Sequence, residues 1–357
     1  MKVRNKGIDN VKAYAALMVI LAHVLNDNYI IQNYESLNIV SKLFNTFFNI
    51  VSSTAVPLFL ICTGYFLYDK ERNFKKILKK NILPLWQLYA LWVVLNRPLN
   101  SYSILADLPT IIKEILLMNS PWPQYLWYIP ALFGIYIMSP LARKLLISLG
   151  EKDFKYLFRI VLLITSFDYY VLASRMVGGT ELSLNIGINI STIMLFLYPM
   201  YGYYFKNYIE KENKNFKKNL ILLLLVFIVL FVPQFKLLTN QIGHRIYYYP
   251  LGILLSLLTF NTIYHLRFPV ILERGLHFIS ENSLSYYFAH RFVLYNLHKK
   301  FFLVNKPINT IVSFVLGVAI VTMLIFVYKG IQKLKINRYN NSLRKESTYE
   351  LMDDAQE

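Results

Sequence analysis

Leu220-Ile-Leu-Leu-Leu-Leu-Val-Phe-Ile-Val-Leu-Phe-Val232 contains no charged or hydrogen-bonding side chain, and Ile311-Val-Ser-Phe-Val-Leu-Gly-Val-Ala-Ile-Val-Thr-Met-Leu-Ile-Phe-Val-Tyr328 is nearly as apolar. About 20 mainly apolar residues carry a helix across a bilayer, whereas an open sheet there would leave backbone groups unpaired. The same criterion, applied outward from these two stretches, gives ten candidate spans: 11–30, 46–68, 81–97, 126–146, 157–174, 185–205, 218–235, 246–264, 283–302 and 308–330. The expected fold is therefore an all-α, polytopic membrane helix bundle of about ten transmembrane helices. The fifth and sixth candidates are the most polar, carrying Arg159, Asp168 and several Asn.

Composition agrees. Of 357 residues 56% are hydrophobic and 16% charged, with a mean hydropathy of +0.40, where a soluble chain has about 25% charged residues. Intrinsic disorder is excluded by this apolarity, and a disulfide scaffold by the single cysteine, Cys62. The first apolar stretch has no small-residue cleavage site, so no removable signal peptide is expected.

A net charge of +18 would point to nucleic acid in a soluble protein, but here it is first a topology signal. With the N-terminus in the cytoplasm, the basic clusters 2–12, 70–80, 143–155, 206–218, 267–274 and 329–345 all fall inside. Cations then favour the inner side by roughly three to one, as the positive-inside rule requires. Both termini are expected to be cytoplasmic, residues 1–335 to form one membrane domain, and residues 336–357 to form a polar, disordered cytoplasmic tail. The longest connection, 98–125, contains Pro98, Pro109, Pro121 and Pro123 and reads as an outer loop with an interfacial helix. No internal repeat is evident.

Chemistry concentrates in the first span, which begins Arg4-Asn-Lys-Gly-Ile-Asp9-Asn-Val-Lys12 and reaches His23. Eleven residues of helix advance about 1100° and about 16 Å, so Lys12 and His23 share one face. Asp9, three residues before Lys12, is placed to pair with it. His23 falls near mid-bilayer, where an ionisable group marks a functional site by default. A neutral imidazole there is a candidate general base toward a hydroxyl; an interhelical hydrogen bond is the competing reading.

After the second span, with Pro57 and Gly64 allowing a bent or closely packed helix, comes Asp69-Lys-Glu-Arg72-Asn-Phe-Lys75-Lys76-Ile-Leu-Lys79-Lys80. The spacing of Lys75, Lys76, Lys79 and Lys80 gives a short helix one cationic face, suited either to a polyphosphate or to anionic lipid. Trp127 and Tyr128 open the fourth span, and Ser283-Leu-Ser-Tyr-Tyr-Phe-Ala-His290-Arg291 sets two ionisable residues inside a span, at least one facing the interior. His244, His265, His277 and His298 fall in connections or at span ends. No Walker loop, dinucleotide fingerprint, zinc motif or cysteine pair occurs, and no metal is expected.

The order Gly7-Ile-Asp9, Lys12, His23, Val56-Pro-Leu-Phe, Gly64-Tyr-Phe, a basic loop, Trp127-Tyr-Ile-Pro130-Ala-Leu and Ser283 to His290 resembles the bacterial integral-membrane acyltransferase-3 family, over about residues 4–330. Its marker, Arg or Lys separated from His by ten intervening residues, is matched by Lys12 and His23. The resemblance implies about ten membrane helices in the bacterial cytoplasmic membrane. It further implies transfer of an acyl group, most often acetyl, from cytoplasmic acetyl-CoA to a hydroxyl of a surface polysaccharide or lipid-linked glycan. It makes His23 the catalytic histidine and Lys12 its partner cation, with Asp9 beside them. Arg72 and the lysines 75, 76, 79 and 80 are assigned to the acyl donor, and Trp127, Tyr128, His290 and Arg291 to the substrate. An inner-loop Arg-x-x-Arg of many members appears here as Arg72-x-x-Lys75, and Arg291 stands where the family usually has an apolar residue. No tightly bound cofactor and no nucleic-acid partner are implied; the acyl donor, the bilayer and glycan-assembly proteins are. Direct attack by the hydroxyl and an acyl-histidine intermediate both remain open, as does a transporter or flippase lined by His23, Asp168, His290 and Arg291, or a non-catalytic assembly partner.

Overall fold

The computed structural model describes residues 4–26, 37–97, 107–120, 124–176, 190–210, 216–239, 249–300 and 307–353. Among them there is no strand. The helices are α1 (Lys6–Leu25), α2 (Ile39–Ser53), α3 (Ala55–Leu67), α4 (Phe74–Ile77), α5 (Leu83–Asn96), α6 (Leu108–Ile115), α7 (Tyr128–Ser148), α8 (Glu151–Met176), α9 (Ile190–Tyr204), α10 (Phe216–Thr239), α11 (Pro250–His265), α12 (Val270–Glu281), α13 (Ser283–Lys300) and α14 (Pro307–Asp353). Single π-turns join α4 to α5 (Leu78–Ile82) and extend α9 (Phe205–Ile209), and a 3-10 turn (Gln124–Trp127) leads into α7.

α1 carries Asp9, Lys12 and His23 on an otherwise largely apolar and buried helix, and it occupies the middle of the bundle. It packs against α2, α3, α11, α12, α13 and α14. Ile8, Val11, Ala15 and Val19 enter the main core with α3, α7, α9 and α11. Ala16, Ile20 and Val24 enter a second core with α13 and α14. Asn5 caps α1 by accepting from the Ile8 amide at 3.1 Å, and its Nδ2 donates to the hydroxyls of Tyr65 and Tyr264, each at 2.9 Å. Both tyrosine hydroxyls donate in turn to the Glu210 carboxylate. One N-cap thus fastens the ends of α3 and α11 and the turn after α9 to the start of α1. The ion pairs Lys6–Glu273 and Lys206–Asp69, each at 2.8 Å, lie at this same end.

The tightest helix pair is α3 with α9. A methyl group at Gly64 would overlap the Pro199 carbonyl, and one at Gly202 would overlap the Ile61 carbonyl. The backbones meet because both crossing points lack side chains, the usual device for close approach in lipid. α10 sits at the periphery: Ile221, Ile228 and Val232 are each about 60% exposed, an apolar face that only a bilayer or another apolar surface covers.

Among the described residues, five stretches are long and apolar enough to cross a membrane: Lys6–Leu25, Ile39–Leu67, Gln124–Ser148, Phe216–Phe235 and Pro307–Lys335. The described parts of the other five candidates are helical: α5, α9 and α11 have 14, 15 and 16 residues, or about 21–24 Å at 1.5 Å per residue, and α8 carries Arg159 within its candidate span. The second span is two helices broken at Thr54. The connection after α11 contains α12, whose inner face packs on α1. In place of a disordered tail, α14 continues as helix to Asp353. The connection between α5 and α7, expected on the outer side, holds a short helix, α6; its remainder at 98–106 and 121–123, like His244 and the side chain of Asp168, lies outside the described residues.

A valine at Gly64 has only the backbone of α9 to push against, and overpacking of this kind costs about 1–3 kcal/mol. Gly64→Val is expected to lower the unfolding temperature of the detergent-solubilised protein. Gly134→Ala, where nothing lies within 4 Å of the new methyl, is expected to leave it unchanged; equal effects would contradict the close α3–α9 contact.

Candidate functional site

A cavity of about 310 Å³ opens between α1, α3, α7 and α13. Its polar wall is Lys12, Thr63, Arg72, Asn81 and Ser283; its apolar and aromatic wall includes Phe59, Leu132, Tyr128, Tyr136 and Tyr287. Two cations on a largely apolar slot fit a thin ligand with an anionic end. Arg72 reaches Asn81 at 3.5 Å, which links the loop after α3 to the turn before α5. Cys62, the lone thiol, is buried in this wall.

His23 is not in the cavity wall. It lies beyond a layer of tyrosines, half-buried, with its ring centroid 4.9 Å from that of His290. Tyr125 stands 5.1 Å from His290 and 6.2 Å from His23. Tyr287 connects the two sides: it lines the cavity, its ring is 5.5 Å from Tyr128, and His290 follows one turn later on α13. The layer is held by hydrogen bonds. Tyr287 donates to the Tyr125 carbonyl at 2.5 Å, Tyr125 donates to the Phe288 carbonyl at 3.0 Å, and Asn96 donates to the Tyr125 hydroxyl at 3.3 Å. Arg97, next to Asn96, forms a buried ion pair with Glu114 on α6 and another with Asp107 at 3.0 Å. The end of α5, α6 and the turn before α7 are thereby fixed around the histidine pair.

The sequence-derived sites divide accordingly. Lys12, Arg72 and Tyr128 meet in the cavity; His23 and His290 meet behind it. Of the adjacent pair His290 and Arg291, His290 is fully buried and Arg291 half-buried. Lys75, Lys76, Lys79 and Lys80 are exposed and outside the cavity wall. Their common face is interrupted, because Lys75 and Lys76 lie on α4 while Lys79 and Lys80 lie on the π-turn, which resets the helical spacing. Trp127 stacks edge-on against Tyr128 at 6.2 Å without lining the cavity.

Asp9 requires correction. It does not bind Lys12 three residues on: Arg4 Nε lies 2.6 Å away, Ser280 donates to it at 2.8 Å, and His277 Nδ1 lies at 3.1 Å. Tertiary partners on α12 displace the local pairing, because Asp9 faces α12 and Lys12 the cavity. His277, assigned no role from sequence, is thus a structural partner of Asp9 and also lies 3.2 Å from Glu281. Sequence reasoning also missed Tyr125, Tyr287, Asn96 and Asn81. The available signal was spacing: Ser283, Tyr287 and His290, four and three apart, share one face of α13.

The sequence pattern described as an acyltransferase domain, that of the acyltransferase 3 family, matches residues 5–329. The chain belongs to the acyltransferase 3 family. Like the family, it is a membrane protein by its apolar helices, and the matched region takes in every residue of the cavity and of the histidine pair. It is also similar to a serine/alanine racemase of Enterococcus gallinarum, 31% identical over 142 residues, covering 36% of this chain and 18% of that protein. The chain therefore spans less than a fifth of that curated relative. No solved structure matches.

Because Asp9 holds three partners from a nearly enclosed position, Asp9→Ala is expected to destabilise the protein by about 1.5–3 kcal/mol, the range for hydrogen bonds to charged groups. Lys12→Met, which alters only the cavity wall, is expected to leave the unfolding temperature in place. The reverse order in thermal unfolding would contradict a structural role for Asp9.

Proposed function

We propose that this acyltransferase moves an acyl group, acetyl in the simplest case, from acyl-CoA on the cytoplasmic side to a hydroxyl of a cell-surface or lipid-linked glycan, in the cytoplasmic membrane of a bacterium. The observation that carries the reading is the cavity walled by Lys12 and Arg72 and closed at its inner end by Tyr128 and Tyr287, next to His23 and His290. The pantetheine arm lies along Phe59 and Leu132 with the thioester toward Tyr287, and the phosphates lie on Arg72, within reach of the exposed lysines 75, 76, 79 and 80. With both termini cytoplasmic, and with the ten-span topology in which the shorter helices complete the bundle, these cations face the compartment that supplies acyl-CoA.

His23 acts as general base. It takes the proton of the acceptor hydroxyl as the oxygen attacks the thioester carbonyl; the carbon–sulfur bond then breaks and CoA leaves as the thiol. The tyrosine layer keeps donor and acceptor compartments apart and gives way at Tyr287 for the transfer. An apolar, water-poor surround protects the thioester from hydrolysis.

The 31% identity to a serine/alanine racemase over 142 residues favours a second reading, in which the bundle binds or carries a small amino acid. Binding that stabilises the folded state separates the two. Acetyl-CoA is expected to raise the unfolding temperature of the purified protein and L-serine to leave it unchanged; a shift with L-serine alone would support carriage instead. In cells, His23→Ala produced at the normal level is expected to lower ester-linked acyl groups on surface glycans by about 100-fold or more, the usual contribution of a positioned base. Retained acylation by mass spectrometry would overturn the assignment of His23.

A further inference from the structure

His290 has a hydrogen-bonding pattern that packing alone does not account for. Its Nδ1 lies 2.6 Å from the Tyr287 carbonyl and 3.1 Å from the Tyr286 carbonyl. Carbonyl oxygens only accept, so Nδ1 carries the proton and Nε2 presents a lone pair. That Nε2 is buried without a partner, an arrangement costly enough to require a reason. Neighbouring hydroxyls do not satisfy it: Tyr125 donates to Phe288, Tyr287 donates to the Tyr125 carbonyl, and Tyr286 is bonded to Thr322 at 2.6 Å. Three titratable rings stand against His290, Tyr125 at 5.1 Å, Tyr287 at 6.1 Å and His23 at 4.9 Å; with both tyrosine hydroxyls already donating to carbonyls, His23 is the one whose ring N–H is open to it. Arg291, the next residue, is half-buried and engaged by other groups.

We infer that His290 is the second proton acceptor of the acyl transfer and that His23 and His290 work as a two-imidazole relay. This rests on the acyl-transfer reading and deepens it. Neutral His23 holds one N–H and one lone pair. As its lone pair takes the acceptor's hydroxyl proton, its own N–H proton passes to His290 Nε2. The acceptor oxygen bonds to the acyl carbon, and the carbon–sulfur bond breaks. The relay then runs back to protonate the departing CoA thiolate, so that both imidazoles end neutral and the products are ester and thiol. The positive charge resides meanwhile on His290, whose Nδ1–H points at two carbonyl oxygens. That pair does for His290 what a carboxylate does for the histidine of a hydrolase triad.

The test uses membranes containing the full-length protein with its own acceptor. CoA release from acetyl-CoA is measured above a His23→Ala control, together with its dependence on deuterium content in H₂O–D₂O mixtures. Two protons in flight predict a curved dependence for the wild type, and His290→Gln is expected to lose about 100-fold in rate with an unchanged KM for acetyl-CoA and a straight dependence in its residual activity. A merely structural histidine would not alter the shape of that dependence. Full activity of His290→Gln, or a straight dependence in the wild type, would overturn the relay while leaving His23 as sole base. Activity in His23→Ala equal to that of the wild type would overturn the acyl-transfer reading itself.

Discussion

Ionisable side chains inside a membrane span must turn to the interior of the bundle, and the arrangement of this protein follows from α1 carrying Asp9, Lys12 and His23. Once α1 is central, its polar groups face other helices, and buried polar groups need partners there. Asn5 finds them at one end by capping α1 while binding Tyr65 and Tyr264. Asp9 does so by binding Arg4, His277 and Ser280. Lys12 faces the cavity, and His23 meets His290 at the other end. The polar residues of α1 thus each meet a different neighbour: Asp9 meets α12, Lys12 the cavity and His23 the histidine of α13.

The features that keep these residues in place lie on other helices. The reciprocal glycine contact of α3 and α9 sets the wall that carries Thr63 and Cys62. Arg97, paired with Glu114 and Asp107, anchors the end of α5, and Asn96 beside it holds Tyr125. A change at the Arg97 ion pairs therefore acts on the histidines through Asn96 and Tyr125 without touching either ring. Buried ion pairs give modest net stability, but losing one partner is costly, so such a change acts on geometry and stability together.

How much of this was legible in the sequence depended on how far each residue's partner lay along the chain. α10 and the first part of α14 were legible from composition, because a span without polar side chains has no other solution. His23 and His290 stood out because ionisable groups inside spans are rare. The Asp9–Lys12 pair was misjudged because three-residue spacing gives an opportunity, and a carboxylate with Arg4, Ser280 and His277 in reach takes those instead. The tyrosine layer was invisible: with 28 tyrosines in the chain, no single one is conspicuous, and Tyr125, Tyr128 and Tyr287 become a unit only through contacts more than 150 residues apart. α12 escaped because it is short and amphipathic, held by its packing on α1 rather than by its own propensity.

Whether the cavity beside Lys12 and Arg72 takes the acyl donor is the question on which the functional account turns. The most direct measurement is photo-crosslinking of the full-length protein with an acyl-CoA bearing a diazirine on the acyl chain, followed by peptide mapping. The account predicts label on the cavity faces of α3, α7 and α13, between Phe59 and Leu67, between Tyr128 and Tyr136 and between Ser283 and Tyr287, displaced by excess acetyl-CoA and lost in Arg72→Ala. Label confined to helices outside the cavity, or label that excess acetyl-CoA does not displace, would contradict it.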